Sequence, residues 1–520
     1  MIPTKNAVKS IIEYGDYQTP SAFTLEVCKK LRDFYALSPK VVIEPTFGTG
    51  NFLESIIRSF DNLDTIYGIE LNTYYYAETV NKLSRINHNI NMELFNDDIF
   101  SFDFSEIKDG INKTDQILIV GNPPWATNTQ LSSIGSYNLP MKDNFKGNSG
   151  LDAITGKGNF DIAEYIILQL LSEFEGYNCC LAMLCKNIVA KNIVRDMDKY
   201  SFNMSSIDML LFDASSIFNV SCDAGLLVIQ LGESKTSVCN IYDFNKFDEV
   251  KKQYGWANGM FCSDLDQYNN MLKLDGICPF EWRQGIKHDC SKVMELKQCV
   301  SSSSEYVNGL GEKVSFDLGK YFYPLVKSSD IKNIEITDAK KYVIVPQTKV
   351  NEDTSKIQYQ CSTIWAYLEC HGEQLNSRKS VIYKKSPKYS IFGIGDYSFA
   401  KYKVGISGFY KEPVFALIYG DYPIMLDDTC YFLSFDNLKD AFITAALLNC
   451  KENILFLKSV AFLDSKRPYT KEVLKRIDIL KIAEVVGYSA IIEFGQTTKK
   501  LPVSETDFEG YIDKLKSDLN

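Results

Sequence analysis

The chain has 520 residues, a net charge of −10, and 45% hydrophobic and 23% charged residues. This length predicts two or three domains, and the composition is that of an ordinary soluble globular protein. The fourteen cysteines form no Cys-x-x-Cys pair and the three histidines stand far apart in the sequence, so we expect reduced thiols in a cytoplasm and no metal site. The polar start MIPTKNAVKS and the lack of an apolar run of roughly 18 residues argue against a signal peptide and a membrane span.

The negative charge is unevenly distributed along the chain. Residues 1–240 carry the whole net charge of −10, and residues 241–520 carry no net charge. An acidic surface repels a polyanion, so the N-terminal half is not the main contact with a nucleic acid.

Short apolar runs alternate with amphipathic stretches over the first 235 residues. Amphipathic stretches at 20–36, 51–60, 73–86 and 160–175 predict helices. The runs that predict β-strands are KVVIEPTF (40–47), TIYGIEL (65–71), NMELFND (91–97), QILIVG (116–121), NCCLAMLCK (178–186), SIDMLLFD (206–213) and AGLLVIQL (224–231). This alternation predicts an α/β fold with a doubly wound, parallel or mixed sheet, in which ligands bind at the carboxyl ends of the strands.

The alternation is interrupted in two places. Residues 126–159 are rich in Gly, Ser and Asn, which predicts a long loop that is functional or mobile. After about residue 240, shorter aromatic-rich runs predict a second domain of mixed α and β structure. We therefore expect domains at 1–240 and 241–520.

Polar residues follow several of the predicted strands. The sequence EPTFGTGNF begins at Glu44, and its Gly48 and Gly50 allow a tight turn before a helix. Further acidic residues, Glu70 and Asp98, follow the second and third strands. In a doubly wound sheet the three acids lie in one crevice, where an acid after the second strand can bind ribose hydroxyls. Neither a G-x-G-x-x-G motif nor a P-loop is present, so the dinucleotide and P-loop interpretations lose their main support.

The fourth predicted strand ends in GNPPW, residues 121–125. An Asn-Pro pair by itself is typical of a turn. Its position after a buried strand, and the sequel of a second proline and an aromatic residue, favour a functional site instead.

Taken together, these motifs resemble the S-adenosylmethionine-dependent DNA adenine-N6 methyltransferases. YQTP (17–20), EPTFGTGNF, YGIE (67–70), DDIF (97–100) and NPPW (122–125) occur in the order of the gamma class of that family. The resemblance covers residues 14–231 and is specific in NPPW and in the Glu-Pro-x-x-Gly-x-Gly block. It implies a Rossmann-like methyltransferase fold for residues 1–240 and a mixed α+β target-recognition domain for residues 241–520.

The resemblance also implies which residues bind the cofactor, S-adenosylmethionine. The N-terminal motif would lie beside the methionine end, the block after the first strand would hold the amino-acid part, and the later acids would bind ribose and adenine. These residues are Thr19, Pro20, Glu44, Pro45, Thr46, Gly48, Gly50, Glu70, Asp98, Ile99 and Asn122. Since two acids are adjacent in DDIF, Asp97 is an alternative to Asp98.

The tetrapeptide Asn122, Pro123, Pro124 and Trp125 would be catalytic. The exocyclic amine of adenine is a poor nucleophile, and the Asn122 side-chain oxygen and the Pro123 carbonyl would accept its two N–H bonds. Proline fixes φ and has no N–H, so the carbonyl of Pro123 is aimed in advance. The adenine would be flipped out of the duplex and stack on Trp125, where this family often has Tyr or Phe. Phe218 matches the second stacking aromatic, although from sequence alone it is equally a core residue before a strand.

The second half contains a concentrated basic region. Residues 376–411 include eight basic residues and one acidic residue, interleaved with aromatics, and residues 458–470 add three more basic residues. This pattern predicts phosphate contacts, with a solvated basic face as the alternative. The predicted DNA-binding residues are Arg378, Lys379, Lys384, Lys385, Lys388, Lys401, Lys403, Lys466 and Arg467.

These features predict a site-specific DNA adenine methyltransferase that acts on double-stranded DNA as a monomer. It would be the modification enzyme of a restriction–modification system, with a separate endonuclease or none. Three alternatives remain: a protein-glutamine or ribosomal RNA methyltransferase with the same motif, a non-catalytic DNA-binding specificity protein, and methylation of the cytosine amine, where the tetrapeptide usually begins with Ser. Methylation of a cytosine ring carbon is excluded, because that chemistry uses a Pro-Cys dipeptide and no proline here precedes a cysteine.

Overall fold

The computed structural model of the protein describes residues 18–86, 89–126, 161–300, 304–498 and 501–519. The chain divides into two compact units, of which the first ends at Phe261 and the second begins at Cys262. All of the predicted loop 126–159 except Ala126 lies outside the described residues. Within the described ranges, no helix is long and apolar enough to cross a membrane, and no His, Cys, Asp and Glu side chains are grouped as metal ligands. The fourteen cysteines are free thiols.

The first unit contains a ten-stranded sheet and the helices that connect its strands. The strands are β1 Val41–Glu44, β2 Thr65–Ile69, β3 Asn91–Phe95, β4 Ile117–Gly121, β5 Cys179–Lys186, β6 Met204–Phe212, β7 Ala224–Leu231, β8 Val238–Asp243, β9 Lys252–Ala257 and β10 Met260–Cys262. The helices are α1 Ser21–Asp33, α2 Asn51–Ser59, α3 Thr73–Leu83, α4 Ser105–Lys108, α5 Ile162–Glu173, α6 Asn187–Arg195 and α7 Ala214–Phe218. The seven predicted strands and four predicted helices all correspond to observed elements.

The strand order of this sheet is β3-β2-β1-β4-β5-β7-β6-β8-β9-β10. Strands β1 to β5 are parallel to one another, and β7 runs antiparallel between β5 and β6. The order reverses between β1 and β4, and a crevice at the carboxyl ends of the strands is expected at such a switch point. The predicted α/β class with a doubly wound mixed sheet is confirmed.

Burial explains why the central strands read as continuous apolar runs. β1 and β4 are buried along their whole length, as expected for parallel strands covered on both faces. On one face, Val42 of β1 and Leu118 of β4 belong to the same apolar cluster as Val27 of α1 and Ile56 of α2. The Thr24 hydroxyl of α1 donates to the carbonyl of Asn51, the first residue of α2, at 3.2 Å, so the starts of the two helices lie together.

The predicted boundary between residues 240 and 241 falls inside β8. This strand pairs in parallel with β6, and β9 pairs with β8, so that the first unit continues to Phe261. Burial in β8 alternates along the strand, and such an alternation is a weaker apolar signal than the continuous runs before it.

The second unit has mixed α and β structure. Its strands are β11 Arg283–Gln284, β12 Glu295–Gln298, β13 Tyr306–Asn308, β14 Lys313–Val314, β15 Phe322–Val326, β16 Glu335–Ile336, β17 Lys341–Ile344, β18 Tyr402–Ser407, β19 Phe415–Tyr419, β20 Met425–Leu426 and β21 Cys430–Phe435. They form a five-stranded sheet, β11-β21-β18-β19-β16, and a six-stranded sheet, β14-β13-β12-β17-β15-β20. The helices are α8 Leu265–Met271, α9 Ser291–Met294, α10 Ile357–Gln360, α11 Ser362–Cys370, α12 Gly372–Asn376, α13 Leu438–Asn449, α14 Lys451–Val460, α15 Lys471–Leu474, α16 Ile479–Val486, α17 Ser489–Thr497 and α18 Glu505–Leu519.

Candidate active site

Asn122 directly follows β4, at the edge of the sheet where β1 also ends. Its side-chain Nδ2 donates to the Thr19 hydroxyl at 3.1 Å, and the Thr46 hydroxyl lies 3.4 Å from the Asn122 carbonyl oxygen. Thr19 is buried and precedes Pro20, whose carbonyl accepts the first backbone N–H groups of α1. The structure thus brings together three predicted segments that are far apart in the sequence.

The turn after β1 requires its two glycines. Gly48 and Gly50 have φ values of 50° and 71°, in the left-handed region that favours glycine. A Cβ atom at Gly50 would lie 2.5 Å from Cγ2 of Thr79. The Gly48 N–H donates to the Glu70 carboxylate at 2.8 Å, and the Asn72 N–H donates to the other Glu70 oxygen at 2.7 Å. These two contacts hold the Glu70 carboxylate against the turn. This arrangement is expected if the turn and Glu70 contact the same ligand.

Glu44 is the last residue of β1, and its side chain is 2% exposed. Among the described residues, its Oε2 atom has no hydrogen-bond partner. Burial, together with the nearby Glu70 carboxylate, raises the pKa of Glu44 well above its ordinary value, while a backbone hydrogen bond from Leu53 acts in the opposite direction. A buried carboxyl oxygen without a partner is costly unless a ligand supplies a donor.

The two adjacent acids after β3 occupy different environments. Asp97 is exposed and accepts the Asp98 N–H at 2.7 Å. Asp98 is half-buried, accepts the Phe100 N–H at 3.0 Å, and its charge contributes to raising the pKa of Tyr165 on α5, although burial of that hydroxyl is the larger cause. The next residue, Ile99, is buried. Of the two acids, Asp98 is the one whose side chain faces the interior of the first unit, whereas Asp97 faces solvent.

Trp125 and Phe218 contact each other directly. Their ring centroids are 5.1 Å apart and the rings are edge to face, at 65°. Each side chain is 8% exposed. The indole Nε1 of Trp125 donates to the carbonyl of Leu184 on β5 at 3.2 Å. The two predicted stacking residues are therefore neighbours, but no base fits between them in this arrangement.

Comparison with known proteins identifies the family. Over 487 residues, or 92% of its length, the chain is 38% identical to the type II methyltransferase M.NspV of Nostoc sp. (strain ATCC 29411 / PCC 7524), 99% of which is covered. The chain belongs to the type II methyltransferases. No protein-family model matches it.

Two solved structures have lower similarity to this type II methyltransferase. The type IIL restriction-modification enzyme MmeI, in complex with DNA, matches 98% of this chain and 76% of its own, with 11% identity and a TM-score of 0.49. The methyltransferase subunit of a type I restriction-modification system from Streptococcus thermophilus matches 46% of this chain and 50% of its own, with 16% identity and a TM-score of 0.31.

Two residues near the tetrapeptide of the methyltransferase were missed by the sequence interpretation. Lys186, the last residue of β5, donates to the Trp125 carbonyl at 2.9 Å and to Asp161 at 2.7 Å. Asp161 is the N-cap residue of α5, where it accepts the Ala163 N–H at 3.1 Å. The sequence does contain a signal for Lys186, because it ends a strand of the same parallel set as Glu44. Its pairing with Asp161 depends on the fold.

In the second unit of the methyltransferase, the two predicted basic segments meet. The guanidinium of Arg467 lies 5.1 Å from the centroid of the Phe409 ring, and the Lys466 ammonium lies 6.0 Å from it. The exposed basic residues of the prediction are Lys379, Lys384, Lys385, Lys388, Lys401 and Lys466. They are available at the surface for phosphate contacts.

Two of the predicted DNA-binding residues have internal contacts instead. Lys403 is 1% exposed on the central strand β18, its ammonium donates to the Ala400 carbonyl, and burial lowers its pKa to about 7. Arg378 is half-buried, donates to the carbonyls of Leu375, His288 and Ser390, and lies 3.7 Å from the centroid of the Tyr383 ring. The prediction for Lys403 is corrected, because a side chain enclosed in the sheet cannot reach a phosphate, and Arg378 stabilises the loop structure.

Proposed function

We propose that this type II methyltransferase transfers a methyl group from S-adenosylmethionine to N6 of an adenine flipped out of double-stranded DNA. We place it in the gamma class, as a monomeric cytoplasmic enzyme that provides the modification activity of a restriction–modification system, with a separate endonuclease or none. The observation that carries this proposal is the placement of Asn122. It follows β4 at the switch point of the sheet and contacts both Thr19 and Thr46.

The residues around β1 fit the cofactor. The Oε2 atom of Glu44, which is buried and has no partner among the described residues, suits the ammonium group of the methionine part. The Thr46–Gly50 turn would hold the amino-acid part through its backbone, while Glu70 would bind the ribose hydroxyls, and Asp98 with Ile99 would bracket the adenine ring. When bound, S-adenosylmethionine supplies a methyl group activated by a sulfonium centre.

The tetrapeptide would activate the amine of the target adenine. Because Nδ2 of Asn122 donates to Thr19, the carboxamide is oriented, and its oxygen is the group that accepts from the amine. The Pro123 carbonyl would accept the second N–H bond. Two acceptors on one amine draw its nitrogen towards tetrahedral geometry and localise the lone pair for attack, so that positioning and electrostatics provide most of the acceleration.

Base binding requires the two aromatic rings to separate. Trp125 is anchored to β5 by its N–H bond to Leu184, whereas Phe218 is the last residue of α7, a helix of five residues. We propose that Phe218 moves and that the base stacks on Trp125. The edge-to-face contact that is lost is worth about 0.5–1.5 kcal/mol, and stacking of a base contributes about 1–3 kcal/mol, so base stacking replaces the lost ring contact over most of this range.

The proposal is tested by sequencing DNA at single-molecule resolution from cells that express the protein, scored for modified adenines. We expect one short sequence to be methylated at nearly every copy. Asn122→Ala should lower methylation at least about a hundredfold while the purified variant still binds S-adenosylmethionine. Asn245→Ala, at an exposed position of the same unit, is the matched control. Unmodified DNA together with transfer of label to RNA or protein would overturn the proposal.

A further inference from the structure

The direction of the Pro123 carbonyl depends on how the chain after it is held. This carbonyl belongs to the peptide plane shared with Pro124, and proline restricts only φ. The plane is fixed only if the residues that follow Pro124 are fixed too. The contacts of Trp125 and Ala126 therefore determine whether the second acceptor is correctly aimed.

Three hydrogen bonds hold these two residues. The Trp125 indole donates to Leu184, the Lys186 ammonium donates to the Trp125 carbonyl at 2.9 Å, and the Ile162 N–H donates to the Ala126 carbonyl at 2.9 Å. The first two anchors come from β5 and the third from the start of α5. The lysine bond is the side-chain contact made to the backbone of Trp125, the residue that directly follows Pro124.

Asp161 fixes the position of the Lys186 ammonium. The two groups form an ion pair at 2.7 Å in which the Asp161 side chain is 8% exposed. Asp161 also caps α5 through its other carboxylate oxygen, which accepts the Ala163 N–H. One carboxylate thus connects the start of α5, the end of β5 and the backbone of the tetrapeptide. Partly buried, charge-assisted hydrogen bonds of this kind are stronger and more directional than exposed ion pairs.

We propose that Lys186 and Asp161 are positioning residues for methyl transfer. Asp161 holds the Lys186 ammonium, the ammonium holds the Trp125 carbonyl, and this contact fixes the Pro123 carbonyl and the Trp125 ring relative to Asn122. The pair acts on the rate of the chemical step and leaves cofactor binding unchanged, because neither residue is among those proposed to contact the cofactor. This inference rests on the proposed function.

The experiment compares Lys186→Met, Asp161→Asn and the double variant with the wild type. Single-turnover methylation of DNA is measured at saturating enzyme, together with the Kd for S-adenosylmethionine and the thermal midpoint. Asparagine is also a good N-cap residue, so Asp161→Asn removes the ion pair while keeping the cap. Lys199→Met is the matched control, since Lys199 pairs with Asp196 at the same 2.7 Å distance on the surface of the same unit.

We expect each single variant to lower the single-turnover rate about ten- to hundredfold, with the Kd within twofold of the wild type. The double variant should be no slower than the slower single variant, since the two residues act as one unit. Lys186→Arg keeps a cation that can reach both partners and should recover most of the rate. If Lys186→Met does not fold, Asp161→Asn and Lys186→Arg still carry the test.

Unchanged single-turnover rates in folded variants, with an active wild type, would overturn the inference and leave the proposed function standing. Equal losses in rate and cofactor affinity would also overturn it, because they indicate general disruption. A wild-type protein that methylates no DNA would instead contradict the proposed function itself. The two failures are therefore distinguishable.

Discussion

The Glu44 carboxylate lies in the core of the first unit, and its Oε2 atom has no hydrogen-bond partner among the described residues. If it binds the ammonium group of the cofactor, Glu44→Gln should weaken S-adenosylmethionine binding by roughly 1.5–3 kcal/mol, about ten- to hundredfold in Kd. The variant should not lower the free energy of unfolding at neutral pH, because the glutamine amide carries no buried charge. Calorimetric titration and thermal unfolding measure the two quantities.

The pH dependence provides a second signature of Glu44. Because its pKa in the folded protein is raised above the ordinary value, this group contributes stability that is present below about pH 4.5 and is lost as the pH rises through the folded pKa. Cofactor affinity should show the opposite trend and fall as Glu44 is protonated. Both trends should be absent in Glu44→Gln and unchanged in Glu26→Gln, an exposed position on α1. A variant with wild-type affinity at all pH values would contradict the assignment.

The residues that the sequence identifies most directly are those at strand ends. Glu44 ends a parallel strand, and Glu70 and Asn122 directly follow two others. The carboxyl ends of such strands meet at one edge of the sheet, so the proximity of these residues follows from the order of the strands. Lys186 ends a strand as well, but its partner Asp161 precedes a helix. No local pattern connects the two, since their contact requires the end of β5 to lie beside the start of α5.

In the proposed mechanism, the short helix α7 carries the residue that moves when the aromatic pocket opens. Phe218 packs edge to face on Trp125 and also contacts Phe23 and Phe212. If Phe218 is only a core residue, its substitution should change stability alone; if it stacks on the target base, its substitution should also weaken base binding. Phe218→Leu keeps an apolar but smaller side chain and should lower the free energy of unfolding by roughly 1–2 kcal/mol. We expect it to weaken retention of the flipped base about tenfold, measured by fluorescence of 2-aminopurine at the target position.

Phe212→Leu is the matched control for this measurement. Phe212 belongs to the same aromatic cluster, with its ring centroid 6.1 Å from that of Phe218, but it makes no contact with Trp125 among the ring contacts of the described residues. It should lower stability to a similar extent and leave the fluorescence change intact. If both variants reduced the signal equally, Phe218 would be only a core residue.

The elements of the first unit could be predicted because each carries a strong periodic or apolar signal. β1 and β4 are buried on both faces, so their sequences are uniformly apolar. The antiparallel direction of β7 was not predictable in this way, since strand direction leaves no trace in the composition of a buried strand. The predicted domain boundary divides β8, because the apolar runs become shorter and richer in aromatic residues near residue 240; in the structure, burial alternates along this strand.

The distribution of charge along the chain favours the second unit for the main contacts with the phosphates of a polyanion. The net charge of −10 belongs to residues 1–240, and exposed lysines occur together at Lys379, Lys384, Lys385 and Lys388. Sequence alone could not separate these from Lys403, because only the fold shows that β18 is a central strand with β19 and β21 on either side. The number of basic residues in a segment is therefore an upper limit on the number of phosphate contacts that the segment makes.

A triple variant in which Lys384, Lys385 and Lys388 are replaced by Gln tests this surface. Each phosphate contact that is lost should make the negative slope of the log association constant against the log salt concentration shallower by about 0.9 for duplex DNA. We therefore expect the slope to become shallower by up to about three. The affinity should fall uniformly over all DNA sequences. Fluorescence anisotropy of labelled duplexes at several salt concentrations measures both. The recognition sequence should be unchanged, because phosphate contacts position a protein and base contacts specify its site.

The control replaces Lys273, Lys332 and Lys475, three lysines that are exposed in the same unit but outside the two basic segments. Both triple variants remove the same formal charge, so a long-range field effect would weaken DNA binding equally in the two proteins. Direct phosphate contacts would change the salt slope only in the Lys384, Lys385 and Lys388 variant. Equal slopes for the two variants would show that this basic surface is solvated and that DNA binds elsewhere on the protein.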